Sequence, residues 1–179
     1  GSFGGYGYLI WCVAEIIIAI ILTARIRSLK PITAKILYIL YAIITGLSLT
    51  GLFIVYTASS LAFVFLATAI IFGVFAIIGK TTNIDLSKWY IYLFMALLAI
   101  IILEIINIFL LNETLNIVLC IVSIVIFCAY IAYDVQRATD ENFLAECDNK
   151  GIYIAFQLFL DIINLFLDLL RLFGKARDN

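Results

Sequence analysis

The feature that most limits how this chain can fold is its last apolar stretch, Gly151 to Gly174. It is long enough to cross a bilayer, which takes roughly 20 apolar residues. Gln157, Asp161, Asn164, Asp168 and Arg171 interrupt it at intervals of 4, 3, 4 and 3. That spacing puts all five on one helical stripe, with Leu, Ile and Phe covering the rest. In a soluble helix such a stripe would face water. Composition reverses the reading, because 66% of the 179 residues are hydrophobic and 13% charged, with a mean hydropathy of +1.21. No water-soluble domain of this size hides so much apolar surface. The oily surface therefore faces lipid or other helices, and the stripe faces inward. An aspartate in mid-membrane costs roughly 2.5–3.5 kcal/mol on insertion scales, and such residues mark ion paths or proton sites. The expected fold is all-α, a polytopic membrane helical bundle arranged around this last helix.

The residue inventory excludes several functions. A net charge of −1 with no basic cluster argues against nucleic-acid binding. Four cysteines show no metal-type spacing: Cys12, Cys120 and Cys128 lie in apolar runs as packing thiols, and Cys147 sits in a polar connection. There is no histidine, which removes histidine metal sites, Ser-His catalysis and the usual pH switch together. Proton chemistry in this chain must use carboxylates.

Six apolar segments read as one transmembrane helical domain, residues 3–179, with approximate spans 6–24, 36–56, 61–78, 88–111, 115–135 and 151–174. The first leads into a basic connection holding Arg25, Arg27, Lys30, Pro31 and Lys35. Gly46 and Gly51 in the second are small residues suited to close helix contact. A polar run from Gly79 to Lys88 joins the third to the fourth, with Asp85 as the expected N-cap and Lys88 and Trp89 at the lipid–water boundary. Tyr38, Tyr41, Phe63, Phe65, Tyr90 and Tyr92 read as belt and packing aromatics. Basic residues occupy alternate connections: those after the first, third and fifth segments hold Lys or Arg, while those after the second and fourth hold none. The positive-inside rule makes the first set cytoplasmic. Arg171, Lys175 and Arg177 then leave two readings for the last segment: it dips in and returns, or it crosses against the rule.

Asp134 and Asp161 lie on consecutive segments, equidistant from a midpoint at Cys147 and Asp148. In an antiparallel helical hairpin they face each other at one depth. Two carboxylates brought together in a poorly solvated place share a proton and titrate as a pair. That is a pH sensor without histidine. The alternative is local pairing, since Arg137 is at i+3 from Asp134 and Arg171 at i+3 from Asp168. Glu15, in mid-segment, is a further candidate for a polar path, and Glu104 with Asn107 a weaker one near the far end of its segment.

Phe72-Gly73, then Gly79-Lys80-Thr81-Thr82 with Asp85-Leu86-Ser87, resembles a helix connection of the Bax inhibitor family of membrane proteins. Ala132-Tyr133-Asp134-Val135-Gln136 resembles that family's sixth-helix ending. Leu160 to Phe166, with Leu169 to Gly174, resembles its last helix and is the most specific match. The resemblance runs in order from about Glu15 to Gly174. It implies seven helices with the last one central; the sequence shows six, and the family's first has no counterpart in it. It also implies a pH-sensitive calcium leak of the bacterial type, in a prokaryotic plasma membrane. In that family two aspartates matching Asp134 and Asp161 form the proton sensor, locked shut by an arginine at the end of the second helix. Arg27, with Arg25 close behind, matches the lock. Asp168 departs from the pattern, standing where an amide is expected.

The resulting expectation is a non-enzymatic passive Ca²⁺ path beside the last segment, lined by Glu15, Gln157, Asn164 and Asp168. Asp134 and Asp161 are also the candidate Ca²⁺ ligands, since calcium takes hard oxygen donors. No cofactor is expected; the partners are the bilayer, the permeant Ca²⁺ and protons. Protonating the pair weakens its hold on arginine and lets the first segment swing from the last. The rivals are a proton-coupled transporter, for which inverted repeats are lacking, a membrane interaction scaffold, and an intramembrane aspartyl protease. The protease wants Gly-x-Gly-Asp at its second aspartate, where this chain has Phe159-Leu160-Asp161.

Overall fold

In a computed structural model, residues 18–140 and 149–175 are described. Glu15, Cys12, Cys147 and Arg177, together with most of the first expected segment, lie outside them. The described chain is all helical, a bundle of six helical segments. α1 covers residues 18–25 and ends in a 3-10 turn, Ile26–Ser28. α2 is Pro31–Thr50, continued after Gly51 by one further turn, Leu52–Val55. α3 is Ala58–Thr81. α4, Tyr90–Leu110, follows a 3-10 turn at Leu86–Trp89. α5 is Glu113–Thr139 and α6 is Lys150–Phe173. The last five of these are long and apolar enough to cross a membrane.

Local chemistry accounts for the boundaries. α2 starts at Pro31, five residues before the hydropathy rise, because proline fits the first turn, where its missing N–H has no helical partner. Thr57 Oγ1 accepts from Ser60 N at 3.4 Å to start α3, and Asn112 Oδ1 accepts from Leu115 N at 2.9 Å to start α5. α4 stops where Leu111 turns left-handed, with φ 50°. Asp85 caps the 3-10 turn and not α4 itself, accepting from Ser87 N at 3.1 Å.

The centre is the antiparallel pair α5–α6. Of the most apolar 18-residue window, 44% is buried in α5 and 33% in α6, against 6% in α4. Leu61 and Val64 of α3 pack there on Phe127 and Ile131 of α5 and on Leu165 and Leu169 of α6. Tyr38 and Tyr41 of α2 meet Phe156 and Phe159 of α6 edge-on, at 5.3–6.2 Å between centroids. Leu22 and Ile26 are buried beside Tyr153 and Phe156. The outer faces of α2, α3 and α4 carry exposed Ile, Leu and Phe, such as Ile54, Phe65 and Phe109, a surface suited to lipid.

Close helix contact falls elsewhere than expected. A Cβ at Gly46 would meet nothing within 4 Å, and one at Gly51 only an ordinary contact, so neither is a packing glycine. Gly79 is: its Cβ would lie 2.1 Å from the Ala132 carbonyl oxygen of α5. That contact needs helical backbone at Gly79, so α3 runs on to Thr81, into the run read as loop.

The last helix crosses the whole bundle. At its start, Asn149 Nδ2 donates to the carbonyls of Ile26, at 3.1 Å, and Leu29 in the turn after α1. At its end, Thr57 N donates to the Lys175 carbonyl at 3.2 Å, and Lys175 N to Ser60 Oγ at 2.9 Å, in the turn between α2 and α3. Its 24 residues span roughly 36 Å at 1.5 Å per residue, more than the hydrocarbon core of about 30 Å. The reading in which it dips and returns is overturned by these two anchors.

Candidate functional site

α5 and α6 form a hairpin whose facing pairs step along the two helices in opposite directions. Asp134 meets Asp161, Ser123 meets Asp168, and Cys120 meets Arg171. Both aspartates of the first pair are buried, at 3% and 4% exposure, and their carboxyl groups lie within hydrogen-bonding reach of each other. Oδ2 of Asp161 has no donor among the described residues. Asp161 sits about 17 Å along α6 from Lys150, close to the middle of that helix. Two facing carboxyl oxygens bond to each other only when one carries a proton, because an ionised carboxylate accepts and cannot donate.

A cation from α5 itself lies beside this pair. Arg137 Nη1 is 4.0 Å from Asp134 Oδ1. Its guanidinium lies 5.2 Å from the Tyr133 ring centre and 5.6 Å from that of Tyr153 on α6. Arg27, from the turn after α1, stands over the same Tyr153 ring, also at 5.6 Å. Arg25 accepts from Ser28 Oγ through its carbonyl, at 2.8 Å, with its side chain exposed. This arrangement exists because α5 continues beyond residue 135 to Thr139: one more helical turn brings Arg137 onto the Asp134 face. Next to it Gln136 reaches the α3–α4 connection, accepting from Leu86 N and donating to the Ile84 carbonyl, both at 2.8 Å.

The rest of the stripe on α6 points to several helices. Gln157 Nε2 lies 3.5 Å from Thr23 Oγ1 of α1. Asn164 Nδ2 donates to the Leu160 carbonyl of its own helix at 2.8 Å. Two turns beyond Asp161, about 10 Å, Asp168 accepts from Ser123 Oγ at 2.5 Å and lies 3.9 Å from Arg171. Arg171 reaches α4 as well, 3.0 Å from Glu104, and floors a cleft of about 520 Å³ lined also by Asn107, Asn112, Glu113 and Asn116. Asn107 Oδ1 accepts from Asn112 N at 3.2 Å, closing the α4–α5 turn. Among the described residues no group of three or more Cys, Asp or Glu could hold a metal, so Asp134 and Asp161 supply two carboxylates and no closed cage. Cys120 and Cys128 are buried free thiols.

The sequence profile described as "Inhibitor of apoptosis-promoting Bax1" matches residues 2–178 of the chain. The chain belongs to the Bax inhibitor family. The relatives of this Bax inhibitor protein include the inner membrane protein YbhL of Escherichia coli K12, 38% identical over 173 residues, 92% of this chain and 73% of YbhL. A protein of Borreliella burgdorferi is 35% identical over 163 residues, 88% of this chain and 70% of its own. A membrane protein of Streptococcus pyogenes serotype M3 is 29% identical over 166 residues, 91% and 72%. The chain is thus an integral, multi-pass protein of a prokaryotic plasma membrane, with Asp–Arg ion pairs buried among its helices. Its non-enzymatic character rests on that membership.

Residues that sequence reasoning left in the background now stand in the Bax inhibitor site. Arg137 was visible only as a local partner of Asp134, and Tyr153 not at all. Ser123 and Glu104 gave a weak signal, a lone hydroxyl and a lone acid inside apolar runs.

Proposed function

We propose that this Bax inhibitor protein is a pH-sensitive calcium leak whose gate is the Asp134–Asp161 pair. The observation that carries the reading is two buried aspartates facing each other on the central helices, with an arginine beside one of them. In the closed state the pair holds one proton and one charge, and that charge draws Arg137, and with it the basic end that includes Arg27, toward α6. Acidification adds the second proton, removes the charge and releases them. α1 then loosens from α6. Gln157, Asn164 and Asp168 supply oxygen donors at successive depths along α6 for a cation that prefers them. Ca²⁺ is here the permeant ion and not a resident of the protein.

The test is Ca²⁺ efflux from loaded vesicles carrying the purified protein. Efflux that rises on acidification, relative to protein-free vesicles, supports the reading. Efflux no faster than from protein-free vesicles at every pH would overturn it.

A further inference from the structure

Two guanidinium groups share one aromatic ring at the basic end of the bundle. Arg27 comes from the turn after α1 and Arg137 from the end of α5, and each lies 5.6 Å from the centre of the Tyr153 ring on α6, within the range where a cation is attracted to an aromatic face. The ring is buried, at 9% exposure. Arg137 is also within hydrogen-bonding reach of the Tyr153 hydroxyl. Two cations repel each other, so their gathering on one side chain requires negative charge nearby. Asp134 is one source of it, 4.0 Å from Arg137.

We infer that Tyr153 is a positioning residue that couples the turn after α1 to the aspartate pair, by holding Arg27 and Arg137 on one ring. This rests on the gating reading above and names the part that transmits it. While Asp134 is charged, Arg137 is drawn toward it and the ring between the two cations is an attractive seat for both. Once the pair is fully protonated, two cations remain on the ring without the charge of Asp134. Arg27, the more exposed of the two, is then the less firmly held. Asn149 bonds to the carbonyls of Ile26 and Leu29 on either side of Arg27, so the backbone of the turn stays tied to α6 while the Arg27 side chain and α1 move.

Other groups face this assembly. Tyr133 takes Arg137 on its own ring and is stacked on Tyr90 of α4 at 5.7 Å. Tyr130 lies near both aspartates, and Asp161 faces Asp134. Tyr41 of α2 belongs to the same buried cluster as Tyr153. Lys150 begins α6 one turn earlier and is buried. Asp140 lies beyond Arg137 on the rim of the cleft that α5 shares with the α3–α4 connection. Asp134, Asp161 and Asp140 are the described acids of this end of α5 and α6, and only the first two sit in its interior.

The experiment is the pH midpoint of Ca²⁺ efflux in Tyr153→Leu, Tyr153→Phe and Arg27→Gln, with Arg27→Gln repeated in the Tyr153→Leu background. The same proteins are followed by infrared titration of the protonated-carboxyl band. Losing the ring frees Arg137 from its seat and weakens its support of charged Asp134, so Tyr153→Leu opens at higher pH, by about 0.5 pH unit. Tyr153→Phe keeps the ring and moves less than half as far. Arg27→Gln shifts the midpoint in the native background and adds nothing once Tyr153→Leu is present. Equal shifts from Arg27→Gln in both backgrounds, or a native midpoint in Tyr153→Leu, overturn the coupling. Arg27 is exposed, so its substitution is readable even where Tyr153→Leu folds poorly. The infrared arm separates the two claims. A band that responds as described in a protein that moves no Ca²⁺ sinks the leak and keeps the coupling. A pH-dependent leak indifferent to Tyr153 and Arg27 does the reverse.

Discussion

Arg171 on α6 lies 3.0 Å from Glu104 on α4, across 67 residues of sequence. It also lies 3.9 Å from Asp168 and 3.5 Å from Cys120 Sγ. One guanidinium therefore ties the end of the last helix to α4 and α5. Both partners of the Glu104 pair are about a third exposed, so screening reduces its worth well below that of a fully buried pair. Replacing Arg171 by Ala leaves Asp168 buried without its cation, and we expect a loss of about 1–2 kcal/mol. Glu104→Gln keeps a hydrogen-bond acceptor and costs less than about 1 kcal/mol. Detergent unfolding of both variants checks the order; equal losses would show that Asp168 does not depend on Arg171.

The contact of Gly79 with Ala132 is backbone against backbone, so no side chain can give way. Gly79→Ala should destabilise by about 1–3 kcal/mol as α3 is pushed from α5. Gly46→Ala, with open space around it, should gain about 0.5–1 kcal/mol from helix propensity. Thermal unfolding of the two variants side by side reads the contrast. A tolerated Gly79→Ala would contradict the close approach.

Gln136 joins the Asp134 end of α5 to the α3–α4 connection by two bonds of its amide. Gln136→Ala removes both, at about 1 kcal/mol each. Amide hydrogen exchange should accelerate at Leu86, whose N–H loses its acceptor, while exchange in mid-α3 stays native. An unchanged rate at Leu86 would show that the connection holds without the clamp.

Asp85 offers a control on where the pH response resides. Its carboxyl accepts from the Ser87 hydroxyl and backbone N–H, with Lys88 nearby, and these hold it below the usual carboxylate range. A lowered folded value means that its contribution is present above the unfolded value, about 3.9, and is lost as pH falls through the folded one. It therefore adds no pH dependence near neutrality. Asp85→Asn should leave the pH midpoint of efflux where it was, and a moved midpoint would assign part of the response to this turn.

How much of this could be read from the sequence follows from the range of each signal. The polar stripe on α6 is a matter of helical period, and the meeting of Asp134 with Asp161 a matter of equal distance from a turn; both are one-dimensional. The length of α5 is less legible, because hydropathy falls after Val135 while the helix runs on through Gln136 and Arg137 to Thr139. The shared ring of Tyr153 depends on the rotation of α6 against Arg27, 126 residues earlier, which no spacing encodes. Glu104 and Arg171 lie on non-consecutive helices, so their pairing needed the bundle itself. Gly79 was read as loop because its neighbours are polar, and only the nearness of α5 explains it.

The central claim is that Asp134 and Asp161 act as one proton-operated gate. Its most direct test is Ca²⁺ efflux from vesicles as a function of pH for the native protein, Asp134→Asn and Asp161→Asn. Asparagine keeps the shape of each side chain but can neither take up nor release the proton. The account predicts efflux that rises on acidification in the native protein and is independent of pH in each variant. Native pH dependence surviving in both variants would contradict it.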